Sequence, residues 1–142
     1  MANRIPGAFY EEMATGTINF ASETVRCIAV DSSLLTTAPE NLQYVDEVDS
    51  AARIATTSVT TPGVSRTGDI VTLTADNPVF ATITGEGVTV DHLVYYVEEA
   101  TEATSPICAV VDEATGLPFA PAGVETTVLL SGGGIISMGS CT

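Results

Sequence analysis

Residues 88–99 read VTVDHLVYYVEE, and this stretch decides the fold class. As an extended chain it places Val88, Val90, His92, Val94 and Tyr96 on one face, and Thr89, Asp91, Leu93, Tyr95 and Val97 on the other, because successive side chains of a strand alternate. β-Branched and aromatic residues dominate it, and they fit a pleated surface better than a helix. The stretch therefore predicts the longest strand of the chain.

Working outward, the same texture recurs. Glu23–Asp31 (ETVRCIAVD) alternates and then becomes fully apolar, as a strand buried on both sides near its end should. Ala51–Thr60 reads as a strand, and Ile70–Thr74 alternates strictly, with Val71 and Leu73 on one side. Val79–Thr84, Ile107–Asp112, Val124–Ser131 and Ile135–Met138 complete the set. Turn chemistry separates them: Pro62-Gly63, Thr67-Gly68-Asp69, Asp76-Asn77-Pro78, Gly85-Glu86-Gly87, Ala114-Thr115-Gly116 and Gly132-Gly133-Gly134. Pro118 and Pro121 keep their loop out of any sheet. About eight short strands at roughly 8–12-residue spacing, with no βα alternation, define an all-β antiparallel sandwich, with a jelly roll favoured.

Two segments break the pattern. Pro6–Gly16 is read as a short N-terminal helix or as an arm for another subunit; Pro6 suits a first helical turn and Gly16 an end. Leu42–Ser50 is read as a helical turn with Leu42, Val45 and Val48 on one side.

Composition narrows the chemistry. The chain has 142 residues, 18 acidic against 4 basic, and a formal charge of −14. Size scaling gives roughly 7,000 Å² of folded surface against roughly 21,000 Å² unfolded, enough for one domain over residues 1–142 with a core of its own. The basic residues are Arg4, Arg26, Arg53 and Arg66; there is no lysine, and His92 is the single histidine. Schiff-base chemistry and a phosphate-gripping lysine are excluded, as is a multi-histidine metal site within one chain. The charge repels phosphate backbones and anionic lipid, so neither nucleic acid nor membrane is expected as a partner. Cys27 and Cys108 sit in apolar runs and read as buried free thiols, and Cys141 is next to the end. With no apolar leader and no run of about 20 apolar residues, a cytosolic, soluble product is expected.

No constellation carries a catalytic role. The glycine run 131–135 (SGGGI) lacks GK[ST], and a hairpin turn accounts for it. Asp91 and His92, as strand neighbours, should point to opposite faces and form no dyad. There is no GxSxG elbow. The acidic runs at Asp46-Glu47-Asp49, Glu98-Glu99-Glu102 and Asp112-Glu113 match no Ca²⁺ loop and read as solvated charge. No cofactor, metal or catalytic residue is assigned, and a binding role is expected. Carboxylates on a β-sandwich leave a Ca²⁺-dependent carbohydrate-binding module as an alternative of another class.

Three patches carry a family resemblance. The opening stretch 1–33 (MANRIPGAFYEEMATGTINFASETVRCIAVDSS) is similar to small structural proteins of tailed bacteriophages, in which a helical start leads to a strand like Glu23–Asp31. Val45-Asp46-Glu47-Val48 followed by Ala52-Arg53-Ile54-Ala55-Thr56 is a second match. Tyr95-Tyr96, Glu99–Pro106 and Ala114-Thr115-Gly116-Leu117-Pro118 form the third. The chain resembles capsid decoration, or cement, proteins, those of Bordetella-type phages among them. The resemblance implies a jelly roll with no active site, placed on the outer capsid surface of a virion after assembly in the host cytoplasm. Its partners would be the major capsid protein and a second copy of itself, a dimer first, since two-fold assemblies are commonest. A tail or connector component is the alternative within the same class. Phe9, Tyr10, Tyr44 and Phe119 are then candidate contacts, with core packing as the other role open to each. Arg4 and Arg53 are candidates for pairing with capsid carboxylates.

Overall fold

A computed structural model describes residues 4–59, 62–68, 70–83, 87–112, 114, 116–123, 125–128 and 134–138. Strand β1 (Val25–Val30) is the organising element. It pairs antiparallel with β2 (Arg53–Val59) on one side and with β6 (His92–Val97) on the other, and β6 pairs antiparallel with β7 (Ile107–Val111). The resulting sheet runs β2-β1-β6-β7. A second sheet contains β3 (Gly63–Thr67), β4 (Ile70–Thr74) and β9 (Gly134–Met138) in that order, and β5 (Val79–Phe80) pairs with β8 (Thr126–Thr127). Every ladder among the described residues is antiparallel, so the all-β class stands. Jelly-roll winding sends consecutive strands to opposite sheets. Here β1 and β2, β3 and β4, and β6 and β7 each share a sheet, so the described ladders do not by themselves draw a jelly roll.

Two cores lie on the two faces of the four-stranded sheet. On one face Val25, Cys27, Ala29, Leu93, Tyr95, Val97, Ala109 and Val111 meet Leu73 of β4, Phe80 of β5 and Val128 beyond β8. On the other, Ile28, Val30, Val94 and Val110 meet Leu42, Val45, Val48 and Ala52. Burial on both faces explains why VRCIAV and ICAVV lose the apolar–polar alternation of a half-exposed strand. The molecule exposes 6999 Å², close to the value that size scaling gives.

The segment between β1 and β2 is a layer of single 3-10 turns, at Ser32–Leu34, Pro39–Asn41, Val45–Glu47 and Ser50–Ala52. Its apolar positions 42, 45 and 48 are buried together, as their spacing indicated. α1 spans Gly7–Ala14 with Pro6 as its N-cap, which settles the helix-or-arm alternative locally for the helix. Gly16 follows at φ +79°, a left-handed conformation that glycine adopts without Cβ strain.

Some boundaries differ from expectation. The stretch Val88–Asp91 lies before β6: Val90 pairs with Phe119 in an isolated bridge and packs in the same core as Leu93, opposite to its expected face. Phe119 thus joins that bridge although Pro118 and Pro121 flank it. β5 is only two residues long. The glycine run at 131–133, Gly85-Glu86, Glu113 and Cys141 lie outside the described residues.

Candidate functional site

The site grows from the buried side of α1. Phe9 is fully buried and meets Phe20 edge-on, with ring centroids 6.2 Å apart and planes at 84°. Met13, one turn on, packs on the same core. This fixes the opposite side of α1 outward, where Tyr10 is 46% exposed beside Glu11. Of the two roles open to Phe9, core packing is the one it takes.

Gln43 and Arg4 join α1 to the 3-10 layer. The Gln43 side-chain oxygen accepts the Ala8 N–H at 2.9 Å, at the start of α1 where backbone donors lack helical partners. Arg4 exchanges two backbone hydrogen bonds with Val110 on the outer edge of β7, both 2.9 Å. Its guanidinium donates to the Pro39 carbonyl (2.8 Å from Nη2) and the Leu42 carbonyl (2.6 Å). Burial lowers the Arg4 pKa, and Glu40 and Glu47 counter that. Just beyond, the Ile107 N–H donates to Gln43 O (2.9 Å) and the Val45 N–H to Ser105 O (3.0 Å).

Carboxylates then line this surface. Glu47 accepts the N–H groups of Gln43 (3.0 Å) and Tyr44 (2.8 Å). The Tyr44 hydroxyl donates to Glu12 at 3.4 Å. Burial raises the Glu12 pKa first; the Tyr44 bond opposes it, and Glu99 and Glu11 add repulsion. Burial raises Tyr44 first, and Glu12, Glu11 and Glu47 add to it. Arg53 closes the far end: it donates to the carbonyls of Val48 (2.9 Å) and Val45 (2.8 Å) and grips Glu102 with two nitrogens at 2.7 and 3.0 Å. That paired geometry raises Arg53 and lowers Glu102.

Three of the six candidates thus assemble around residues 39–48: Arg4, Tyr44 and Arg53. Tyr10 is exposed on α1, which the Ala8–Gln43 bond joins to that layer, whereas Phe9 is buried in the core on the Leu93 side of the sheet. Phe119 does not join the layer either. It is part-buried on the Leu93 side of the sheet, bonded to Val90 through both backbone groups (2.8 and 2.9 Å). Arg4 and Arg53 both direct their guanidinium groups inward onto carbonyls, and Arg26 pairs with Glu98. Arg66 is exposed and bonds the Gly68 carbonyl at 3.0 Å.

Asp46, Glu98, Glu99 and Glu102 of the acidic runs are exposed, as their sequence suggests, but several acids also hold local hydrogen bonds. Asp46 is exposed, but Asp49 accepts the Thr36 N–H and hydroxyl (2.8 and 2.6 Å), and Glu47, Glu98 and Glu102 are bonded as described. Sequence reasoning also missed a carboxylate junction where β1 ends. Asp31, 6% exposed, accepts the Ser33 N–H (3.0 Å), the Ser33 hydroxyl (2.6 Å) and the Thr89 N–H (3.0 Å). Asp91 accepts the Ser32 N–H (2.9 Å) and the Ser32 hydroxyl. Both carboxyls, though opposed by burial, are held below the ordinary range by these bonds. The signal was present as Asp-Ser-Ser, the pattern of an acceptor side chain before a turn.

His92 Nδ1 lies 3.0 Å from Asp91 Oδ1, without the alignment of a hydrogen bond. The expectation that the two point apart is therefore wrong, because β6 begins at His92 and strand alternation does not reach Asp91. Among the described residues no hydroxyl or thiol hydrogen-bonds His92, and no three His, Cys, Asp or Glu side chains gather as a metal site. Cys27 and Cys108 are fully buried free thiols; burial raises both, which suppresses the reactive thiolate. Among the described residues no helix is long and apolar enough to cross a membrane. No protein-family model, no curated protein and no solved structure matches the chain.

Proposed function

We propose that this protein is a virion structural protein that binds the outside of a tailed-phage capsid and bridges neighbouring major capsid protein subunits. The observation that supports this reading best is the direction of charge around residues 39–48. Arg4 and Arg53 turn inward to hold the layer together, while Tyr10, Glu11, Glu40, Asp46 and Glu99 face solvent. An acidic, aromatic-bearing face held on a fixed scaffold suits a basic protein surface. The opening, Val45–Val48 and Tyr95–Pro106 patches that resemble cement proteins include the elements of this face. Bridging then needs no strong single contact, because a second contact forms at high effective concentration.

Purified protein mixed with undecorated capsids tests the proposal. Stoichiometric, salt-sensitive binding and a higher capsid disruption temperature are expected, and Glu11→Lys with Glu99→Lys should weaken binding at least about tenfold. Binding by hundreds of copies per particle supports decoration; a few rings would place the protein in the tail. No binding to capsids or tails sinks the reading.

A further inference from the structure

Three elements bring carboxylates to one seam. α1 supplies Glu11 and Glu12, the turn layer supplies Glu47, and the segment after β6 supplies Glu99. Glu11 and Glu12 both lie in the last turn of α1, the end at which aligned peptide dipoles place partial negative charge. Each of the four arginines is bonded elsewhere: Arg4 to the Pro39 and Leu42 carbonyls, Arg26 to Glu98, Arg53 to Glu102 and Arg66 to the Gly68 carbonyl.

The two ends of α1 are held differently. Its start is pinned by the 2.9 Å bond from the Ala8 N–H to Gln43. Its end meets the layer through Glu12, whose part-buried carboxylate receives only a long 3.4 Å bond from the Tyr44 hydroxyl. Glu47, by contrast, accepts two N–H groups at 3.0 and 2.8 Å. Around the Glu12–Tyr44 contact, Glu11 and Glu99 repel Glu12, and Glu11 and Glu47 face Tyr44. Like charges on three elements thus oppose the closing of this end, and no cation offsets them.

We propose that this seam is a proton-operated latch: protonation of Glu12 seats the last turn of α1 on the turn layer, and ionisation of Glu12 loosens it. A neutral Glu12 still accepts from Tyr44 through its carbonyl oxygen, while its repulsion from Glu11 and Glu99 is gone. Glu12 is held above the ordinary glutamate range, burial first and the neighbouring acids after it. A carboxyl in that position binds protons more tightly in the folded chain, so the stability it contributes falls as pH rises through the folded value. The gain is complete below the ordinary glutamate value of about 4.3. Tyr10 and Glu11 ride on the same turns of α1, so the latch sets how they stand against residues 39–48. Only that use rests on the capsid reading; the latch itself belongs to the free protein.

Carbon-13 NMR of the glutamate carboxyls, with amide exchange, tests this on the full chain. Glu12 should titrate with a midpoint above that of the denatured chain. The amides of Thr15, Thr17 and Ile18, which donate to the Glu11 and Glu12 carbonyls, report the last turn. After correction for intrinsic rates they should exchange at least about threefold more slowly at about pH 5 than at about pH 7.5. Glu12→Gln should give the slow exchange at both. Tyr44→Phe removes a bond that favours the ionised carboxyl and should raise the Glu12 midpoint, whereas Glu99→Gln removes a repulsion and should lower it. A merely structural contact would not move the midpoint in opposite directions. A Glu12 midpoint at or below the denatured value overturns the proposal, as does a pH dependence of these amides that is absent in wild type or survives in Glu12→Gln. Failure here leaves the capsid reading standing, and a protein with a working latch that ignores capsids overturns that reading alone.

Discussion

The strands β4 (IVTLT) and β7 (ICAVV) are both five residues long and rich in β-branched side chains, yet they live in different worlds. All five residues of β7 are buried, whereas in β4 only Leu73 is. The cause is what covers each sheet. The four-stranded sheet has a second layer on each face, one made by the smaller sheets and one by the 3-10 turns of residues 32–52. Among the described residues the three-stranded sheet packs on the core through Leu73, and Thr72 and Thr74 alternate with the apolar residues of β4. Buried apolar packing among the described residues is concentrated in the first sheet.

Deleting the centre of the buried sheet tests this contrast most severely. Tyr95→Ala should lower unfolding free energy by about 3–5 kcal/mol, read from urea melts. Tyr95→Phe should cost under about 1 kcal/mol, because the buried hydroxyl has no oxygen or nitrogen partner and faces the Cys27 thiol. A Tyr95→Ala protein within about 1 kcal/mol of wild type would erase the distinction between the sheets.

The turn layer comes next. Arg53→Ala strands the Val48 carbonyl, leaves the Val45 carbonyl with the Val48 N–H alone and frees Glu102, and should cost about 1–3 kcal/mol. Glu102→Gln, at a carboxylate open to solvent, should cost less. Equal losses would mean that the ion pair, not the carbonyl bonds, secures the layer.

Acid should loosen the junction of β1 with β6. Asp31 and Asp91 titrate below their unfolded values, so their contribution is complete above about pH 4 and is lost as pH falls through the folded pKa values. Melting temperature should therefore fall on acidification below about pH 4, and Asp31→Asn should flatten that limb while lowering stability at neutral pH. An unaltered acid limb would show that these bonds do not govern it. The smallest effect belongs to the exposed hairpin: Ile70→Ala should change unfolding free energy by under about 1 kcal/mol.

What could be read from the chain alone follows the same division. Strands with a repeating pattern were legible: Glu23–Asp31 contains β1, and Ile70–Thr74 is β4 residue for residue. Leu42, Val45 and Val48 announced their shared buried side, although the backbone makes 3-10 turns there. Val88–Asp91 was misassigned because alternation continues in the letters after the ladder has stopped; only Phe119, distant in sequence, tells Val90 where to pack. The candidate face was half legible. Tyr10 and Tyr44 were recognisable as aromatics, but nothing local shows that Arg4 reaches residues 39–42 or that Arg53 reaches Val45. Those are contacts across 35 and more residues for Arg4, and they depend on how the turn layer folds over the sheet.

The clasp on the outer edge of β7 has a consequence for solubility. Arg4 and Gln43 satisfy backbone groups of Val110 and Ile107 that would otherwise offer a template for another strand. A five-residue apolar strand with both neighbours paired cannot recruit copies end on end. Shortening the chain past Arg4 would uncover ICAVV as an aggregation-prone edge, open to another strand of the same kind.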